Sequence, residues 1–438
     1  MTALANVTTT RRRASLCTLG CRLNQSESEL IRSRLEVAGY EMVPFGEPAD
    51  LGIINTCTVT HQADQKCRQT IRSFIRRNPN AYTAVVGCYS QLGYRGISEI
   101  PGVDLIVGNQ AKLDVLDFVR LGRNPRPLVI RDNIVREDFA VDFEDSSDVT
   151  RRANLKIQDG CNFMCTFCVI PFARGRARSR DLANLLDEAQ SLVQRGAREI
   201  VLTGVNVGTY DLDGHDIRSV VNRLDAIPGL ERIRISSIEP TTIPTALFEM
   251  MRDPDHALPP YLHIPLQSGS DQILERMRRR YTVSEYLDFV QLAHDSVPDL
   301  CMGTDILVGS PGESEADFEQ TCDVLVKSPI AYAHVFTYSE RDGTPAARSD
   351  DVVPVAVRQQ RNAVLRRLSA RKRQAYDSSY EGKLATVLFE NAKHGYWPGY
   401  TDNYIRVAVA SPEPLHNTIR KVRLLRRTAD FVVAELAA

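Results

Sequence analysis

Six of the ten cysteines in this 438-residue chain fall into two patterns that can do chemistry. The tighter pattern is GCNFMCTFCVIP at 160–171, which spaces Cys161, Cys165 and Cys168 as C-x3-C-x2-C. Three thiolates this close can hold three irons of a 4Fe-4S cluster and leave the fourth iron open to a substrate or cofactor, whereas a structural zinc wants a fourth protein ligand nearby. The looser pattern is Cys21, Cys57 and Cys88, which lie 36 and 31 positions apart, each beside a small or turn-forming residue, Gly20, Thr56 or Gly87. One such cysteine alone reads as a small buried hydrophobe. Three at equivalent places read as a set that the fold brings together.

The elements that would position them can be traced from apolar patterning. ASLCTLGC (14–21), ADLGIINTCTV (49–59), AYTAVVGCY (81–89) and VDLIVGN (103–109) are short apolar runs bounded by polar residues or Gly, so each predicts a buried strand. Residues 26–39 and 63–78 have helical spacing between them, and the alternation predicts a Rossmann-like parallel α/β domain. Ligands bind at the carboxyl ends of such strands, where Cys21, Cys57 and Cys88 stand. The stretch 110–150 reads as acidic and irregular, with DFEDSSDVTRR as a linker. From 151 to about 350 six further strands are expected, ANLKIQ, EIVLTGVNV, RIRISSIEP, YLHIPLQSGS, MGTDILVGSPG and AYAHVFTYS, with helices such as LANLLDEAQSLVQRGA between them. That pattern predicts a full or partial (β/α) barrel with its chemistry on the loops at the strands' carboxyl ends. RQQRNAVLRRLSARKRQAY then reads as a strongly basic helix, and LATVLFE, NYIRVAVA, KVRLLRR and DFVVAEL as the strands of a small all-β module.

Composition narrows the class. With 43% hydrophobic and 25% charged residues the chain builds real cores, which excludes long disorder or a fibrous repeat. No apolar run approaches the roughly 20 residues of a membrane helix, and Arg11, Arg12 and Arg13 are not followed by a secretory core, so a cytoplasmic protein with reduced thiols is expected. The net charge of -1 is uneven: Lys plus Arg against Asp plus Glu is 18 against 18 over 1–150, 21 against 29 over 151–350, and 15 against 8 over 351–438. The basic tail points to a polyanionic partner.

The C-x3-C-x2-C spacing, with Phe167 just before the last cysteine, resembles the radical S-adenosylmethionine (SAM) superfamily. That resemblance implies a cluster whose open iron chelates SAM and delivers the electron that cleaves it to a 5′-deoxyadenosyl radical. VLTGVN, with Thr203, Gly204 and Asn206, stands where the superfamily binds the SAM amino group; RISSIEP supplies Ser236, Ser237 and Glu239 for a ribose or carboxylate; and DILVGSPGE, with Gly309, resembles its adenine-side glycine motif. Singly, each is equally well explained as turn chemistry at a strand end.

TLGCRLNQSESE, INTCTVTHQADQKCRQ, VVGCYSQ, LHIPLQSGSDQILERMRRRYT and HVFTYSERDGTPAA extend the likeness to nearly the whole chain, which resembles the methylthiotransferase family and, within it, the branch acting on N6-threonylcarbamoyladenosine in tRNA. The resemblance implies a methylthiotransferase domain over 12–140, a radical SAM barrel over 147–375 and an RNA-binding TRAM domain over 376–438. It further implies two 4Fe-4S clusters, an auxiliary one on Cys21, Cys57 and Cys88 and a SAM-cleaving one on Cys161, Cys165 and Cys168. Two SAM molecules would be used per turnover, with tRNA as substrate and a flavodoxin or ferredoxin as electron donor; the sulfur donor is not encoded. Relatives acting on isopentenyladenosine or on a ribosomal-protein aspartate share this chemistry, and a non-catalytic iron–sulfur RNA-binding redox sensor is the alternative of another class.

Cys17, Cys67, Cys301 and Cys322 match no ligand position, although Cys17 lies near enough to Cys21 in sequence to compete. His61, His215, His256 and His294 read as surface or capping residues, while His263 divides between the site and the core. Arg174, Arg176, Arg178 and Arg180 would neutralise the SAM carboxylate or tRNA phosphate, or be solvated.

Overall fold

The computed structural model describes residues 11–119, 125–144 and 152–437, and these divide into two compact units. One holds the N-terminal region through Glu137 together with Val169–Gly175; the other holds the stretch ending at Cys168, everything from Arg176 onward, and Asp138–Ala140.

The first unit is built on a six-stranded, wholly parallel sheet. Its strands are β1 (Arg13–Thr18), β2 (Glu41–Val43), β3 (Leu51–Thr56), β4 (Tyr82–Gly87), β5 (Leu105–Val107) and β6 (Leu128–Ile130), in the order β2-β1-β3-β4-β5-β6. Every residue of β3 and β4 is buried, which is why they read as continuous apolar runs: helices cover both faces. The helices α1 (Arg22–Val37) and α2 (His61–Arg77) connect them, and α2 begins at Thr60, whose side chain accepts the Ala63 amide. Two strands were not foreseen. β2 and β6 are three-residue edges too short to carry a pattern, and β6 falls in the stretch expected to be irregular. Most of DFEDSSDVTRR lies outside the described residues.

The second unit begins with the six expected strands, β7 (Arg152–Lys156), β8 (Glu199–Thr203), β9 (Arg232–Ile235), β10 (Tyr261–His263), β11 (Cys301–Val308) and β12 (Tyr332–Thr337). They form two parallel groups, β9-β8-β7 and β10-β11-β12, and the Ile238 amide bonds the His263 carbonyl at 3.2 Å where the groups meet. The result is a partial (β/α) barrel. Leu155, Ile200, Leu202, Ile233, Leu262, Met302, Ile306 and Val308 pack with the covering helices in one buried cluster. The opposite face of the strands lines the interior. The basic helix runs over Val355–Ser378, but Arg358 and Arg361 turn inward onto Glu340, Glu313 and Glu315.

A closed antiparallel-rich barrel of five strands, of the TRAM type, ends the chain: β13 (Leu384–Phe389), β14 (Trp397–Thr401), β15 (Arg406–Val409), β16 (Ile419–Arg427) and β17 (Val432–Leu436). Four were anticipated. β14 was hidden because WPGYT carries Pro and Gly, residues that usually punctuate a strand. A Cβ at Gly399 would lie 2.4 Å from the Leu388 carbonyl oxygen, so only glycine lets β13 approach.

Candidate active site

In the first unit the three expected thiols converge. Cys21 caps the N-terminus of α1, Cys57 follows β3 directly, and Cys88 opens the short helix Cys88–Leu92 after β4. Gly20 and Gly87 have φ of +106° and +100°, and a Cβ on Gly20 would strike the Cys57 Cβ at 2.6 Å; these turns need glycine. Burial pushes the Cys57 thiol up to about 12, and the neighbouring Cys88 and Cys21 sulfurs add to it. Burial also raises the Cys21 thiol, and thiols that resist ionising call for a cationic partner.

Around them lies a polar shell that sequence reasoning missed. Asn109, at the end of β5, donates to the Cys88 sulfur at 3.5 Å and to the Ala173 carbonyl at 2.6 Å, and its oxygen accepts from Lys112 at 2.8 Å. Lys112 also bonds Glu27, which Arg174 clasps with two contacts of 3.0 Å; all three side chains are essentially inaccessible. Asn109 could have been found by the strand-end rule that found the cysteines. Cys67 donates to the Cys57 carbonyl at 3.3 Å, a positioning contact. Cys17 sits on β1.

In the second unit Cys161, Cys165 and Cys168 lie on the loop after β7. Met164 takes a left-handed φ of 53°, the Phe163 amide points at the Cys161 sulfur (3.4 Å), and the Cys168 amide bonds the Cys165 carbonyl (3.1 Å). Thr166 fastens the loop to the Arg276 and Met277 carbonyls, and Phe167 packs against Ile273, Met277, Leu307 and Tyr338. Arg279, with a buried side chain, donates to the Cys165 sulfur at 3.3 Å and pairs with Glu239. Nothing in the run Arg278-Arg279-Arg280 distinguished this cation from a solvated one.

The SAM-motif residues divide in two. Thr203 spends its hydroxyl on the Leu155 carbonyl (3.1 Å), and the Gly309 amide is taken by Glu313 (2.6 Å), so both shape loops. Gly204 leaves room for Gln158, whose oxygen accepts from the Val205 and Asn206 amides at 2.8 and 3.0 Å. The Asn206 oxygen accepts from the Glu239 amide and the Thr242 hydroxyl, while its buried Nδ2 has no partner among the described residues. Burial raises the Glu239 carboxyl, with Asp305 adding to it and Arg279 opposing. Ser236 and Ser237 are half-buried on the following loop.

The alternating arginines divide. Arg174, Arg178 and Arg180 are buried against Glu27, Asp159 and Glu188, leaving Arg176 exposed. His256 caps the Leu258 amide, and His263 faces the barrel interior against Asp305.

The donor set fits iron–sulfur clusters. Among the described residues, the group whose ligand atoms all lie within 4.8 Å of one another is His263, Asp305 and His334. A partial barrel with a C-x3-C-x2-C loop at its strand ends defines a radical SAM protein, and residues 155–325 match the Radical SAM superfamily while 13–108 match the Uncharacterized protein family UPF0004. The chain is 40% identical over 419 residues, 93% of each sequence, to the threonylcarbamoyladenosine tRNA methylthiotransferase MtaB of Bacillus subtilis. It is 35% identical, over 97% of its length and 98% of the relative's, to the tRNA-2-methylthio-N(6)-dimethylallyladenosine synthase of Cereibacter sphaeroides. The chain belongs to the radical SAM methylthiotransferase family, whose superfamily carries SAM and a 4Fe-4S cluster. The solved radical SAM methyltransferase TsrM of Kitasatospora setae shares the fold, with a TM-score of 0.55 at 16% identity over 77% of both chains.

Proposed function

We propose that the chain converts N6-threonylcarbamoyladenosine at position 37 of tRNA, beside the anticodon, to its 2-methylthio derivative. The observation that carries this reading is the presence of two three-thiol sites in one chain, one in a parallel α/β unit and one on a barrel loop. Carbon-2 of adenine bears a C–H that no side chain can remove, so bound clusters and SAM would supply the radical chemistry, while the sulfur comes from a donor that the sequence does not encode. The chain's residues hold and orient them. Cys161, Cys165 and Cys168 ligate one 4Fe-4S cluster and Cys21, Cys57 and Cys88 a second. Gly204, Asn206, Ser236, Ser237 and Glu239 line the SAM pocket, with Phe167, Thr203 and Gly309 fixing its loops, and two SAM molecules serve each turnover. Arg279 keeps its positive charge against Cys165 and Glu239, which limits the build-up of negative charge at that edge. The domain division at 12–140, 147–375 and 376–438, a flavodoxin or ferredoxin reductant and a cytoplasmic location belong to the same reading. The similarity to the dimethylallyladenosine enzyme supports a second reading, in which an isopentenylated base is the substrate.

The test is anaerobic reconstitution with SAM, reductant and each tRNA, followed by nucleoside mass spectrometry. The proposal expects 2-methylthio-N6-threonylcarbamoyladenosine together with 5′-deoxyadenosine; methylthiolation of the isopentenylated tRNA alone would overturn the substrate. Replacing Cys21, Cys57 and Cys88 together by Ala should halve the iron while SAM cleavage survives, and unchanged iron would remove the auxiliary cluster.

A further inference from the structure

Three neighbouring strands of the barrel each place one metal-ligating side chain on the same face. His263 ends β10, Asp305 lies in the middle of β11 and His334 in the middle of β12, and Asp305 stands directly opposite His334 in the parallel register. Alternation fixes their direction. Met302, Ile306 and Val308 belong to the core under the helices, and Thr304 bonds the Tyr286 hydroxyl of the helix Val283–Ser296, so Asp305 projects the other way, into the barrel interior.

Both imidazoles address a single carboxylate oxygen. His263 Nε2 lies 2.9 Å and His334 Nδ1 3.4 Å from Asp305 Oδ1, and all three ligand atoms fall within 4.8 Å of one another. Around one ion with bonds of about 2.1 Å, ligand atoms sit about 3.0 Å apart at right angles and about 3.4 Å apart in a tetrahedron, and the two separations from Asp305 Oδ1 match these. A layer behind the trio orients it: the Tyr332 hydroxyl lies 3.4 Å from His263 Nδ1 and 2.8 Å from the Tyr261 hydroxyl. The fold makes room for that layer, because a Cβ at position 303 would lie 2.5 Å from the Tyr332 oxygen and 2.7 Å from His263 Nδ1, and the residue there is glycine. Metal-bound histidines are held through their second nitrogen in this way.

We infer that His263, Asp305 and His334 form a binding site for a divalent first-row transition metal, separate from both cysteine triads. Two imidazoles and one carboxylate are a donor set that such ions take, and with three protein ligands the ion keeps open positions for oxygen donors. Solvent reaches the trio from the His334 side, since the His334 side chain is 59% exposed whereas His263 is 6% exposed. Cluster cysteines are soft thiolate ligands, so a hard ion discriminates between the two kinds of site.

Mn2+ is therefore the probe. Reconstituted holoenzyme, with its clusters in the EPR-silent oxidised state, is titrated with Mn2+ and the free ion is followed by its EPR signal. One Mn2+ per chain is expected, with the dissociation constant raised about tenfold or more in both His334→Ala and Asp305→Asn and unchanged in the variant with Cys21, Cys57 and Cys88 replaced by Ala. His334 is exposed, so its variant retains the fold, which the cluster absorbance checks. No binding at millimolar Mn2+, or equal affinity in wild type and both trio variants, overturns the inference. Neither result depends on which tRNA is the substrate.

Discussion

Charges buried beside thiols are the theme at the residue scale. Arg279 in one unit and Arg174 in the other lie with their side chains out of water near cysteine sulfurs, each paired with a glutamate, and buried Lys112 shares the glutamate of Arg174. Leaving such a charge unpaired is costly, so these pairs are built into the fold rather than added at its surface. For Arg279 the expectation is specific. Arg279→Ala removes the donor to Cys165 and strands Glu239, and 5′-deoxyadenosine formation should fall about tenfold or more with the six-cysteine iron content retained; Arg279→Lys, which keeps the charge but not the forked contact with Glu239 and Tyr281, should recover only part of the rate. Single-turnover product analysis beside iron quantitation separates this from loss of the cluster. The cysteines were legible in the sequence because their spacing is itself the signal. Arg279 and Glu27 were not, because a charged residue in a helix or loop reads as solvated until its neighbours are known.

Among the elements, the closest coupling is between the floor of the (β/α) barrel and the C-terminal barrel. Glu199 of β8 is fully buried between Arg152 of β7 and Arg234 of β9, while Arg232 and Arg234 donate onward to the Tyr400, Thr386 and Asp402 carbonyls. Burial opposes ionisation of Glu199, but Arg234 and Arg152 overcome it and hold the carboxyl at about 2 against an ordinary 4.5. A depressed carboxyl contributes stability that is present above its unfolded value and lost as the pH falls through the folded one, so the loss belongs to the interval from pH 4.5 to 2. The shift corresponds to about 3 kcal/mol. Denaturant unfolding of Glu199→Gln should show a flatter pH dependence across that interval and a lower midpoint at pH 7; a slope equal to that of wild type would remove Glu199 as its source. The six barrel strands were readable from their apolar runs, whereas β2, β6 and β14 were not: the first two are three residues long, and the third is written in residues that favour turns. Their existence depends on partners distant in sequence.

For the whole molecule the revision concerns charge. The basic tail does not translate into one basic surface, because Arg358 and Arg361 are themselves buried and paired with Glu340, Glu313 and Glu315, and Arg427 is paired with Asp377. What remains outward includes Arg420, Lys421, Arg423 and Arg426 along β16, whose Val422 and Leu424 fill the barrel. Replacing Lys421 and Arg423 by Glu should weaken tRNA binding and reduce its salt dependence, because each neutralised phosphate releases counterions, while leaving SAM cleavage without tRNA unchanged. Filter binding across a salt series measures both. An unaltered slope would move the tRNA contact elsewhere.

The central claim is that the barrel's chemistry is aimed at carbon-2 of a threonylcarbamoylated adenine. Transfer RNA carrying deuterium at that carbon of residue 37, incubated with the reconstituted enzyme, SAM and reductant, tests it in one mass-spectrometric measurement. The account predicts 5′-deoxyadenosine that carries the deuterium, together with methylthiolated product that has lost it. Deuterium retained in the modified base, or 5′-deoxyadenosine without label, would contradict it.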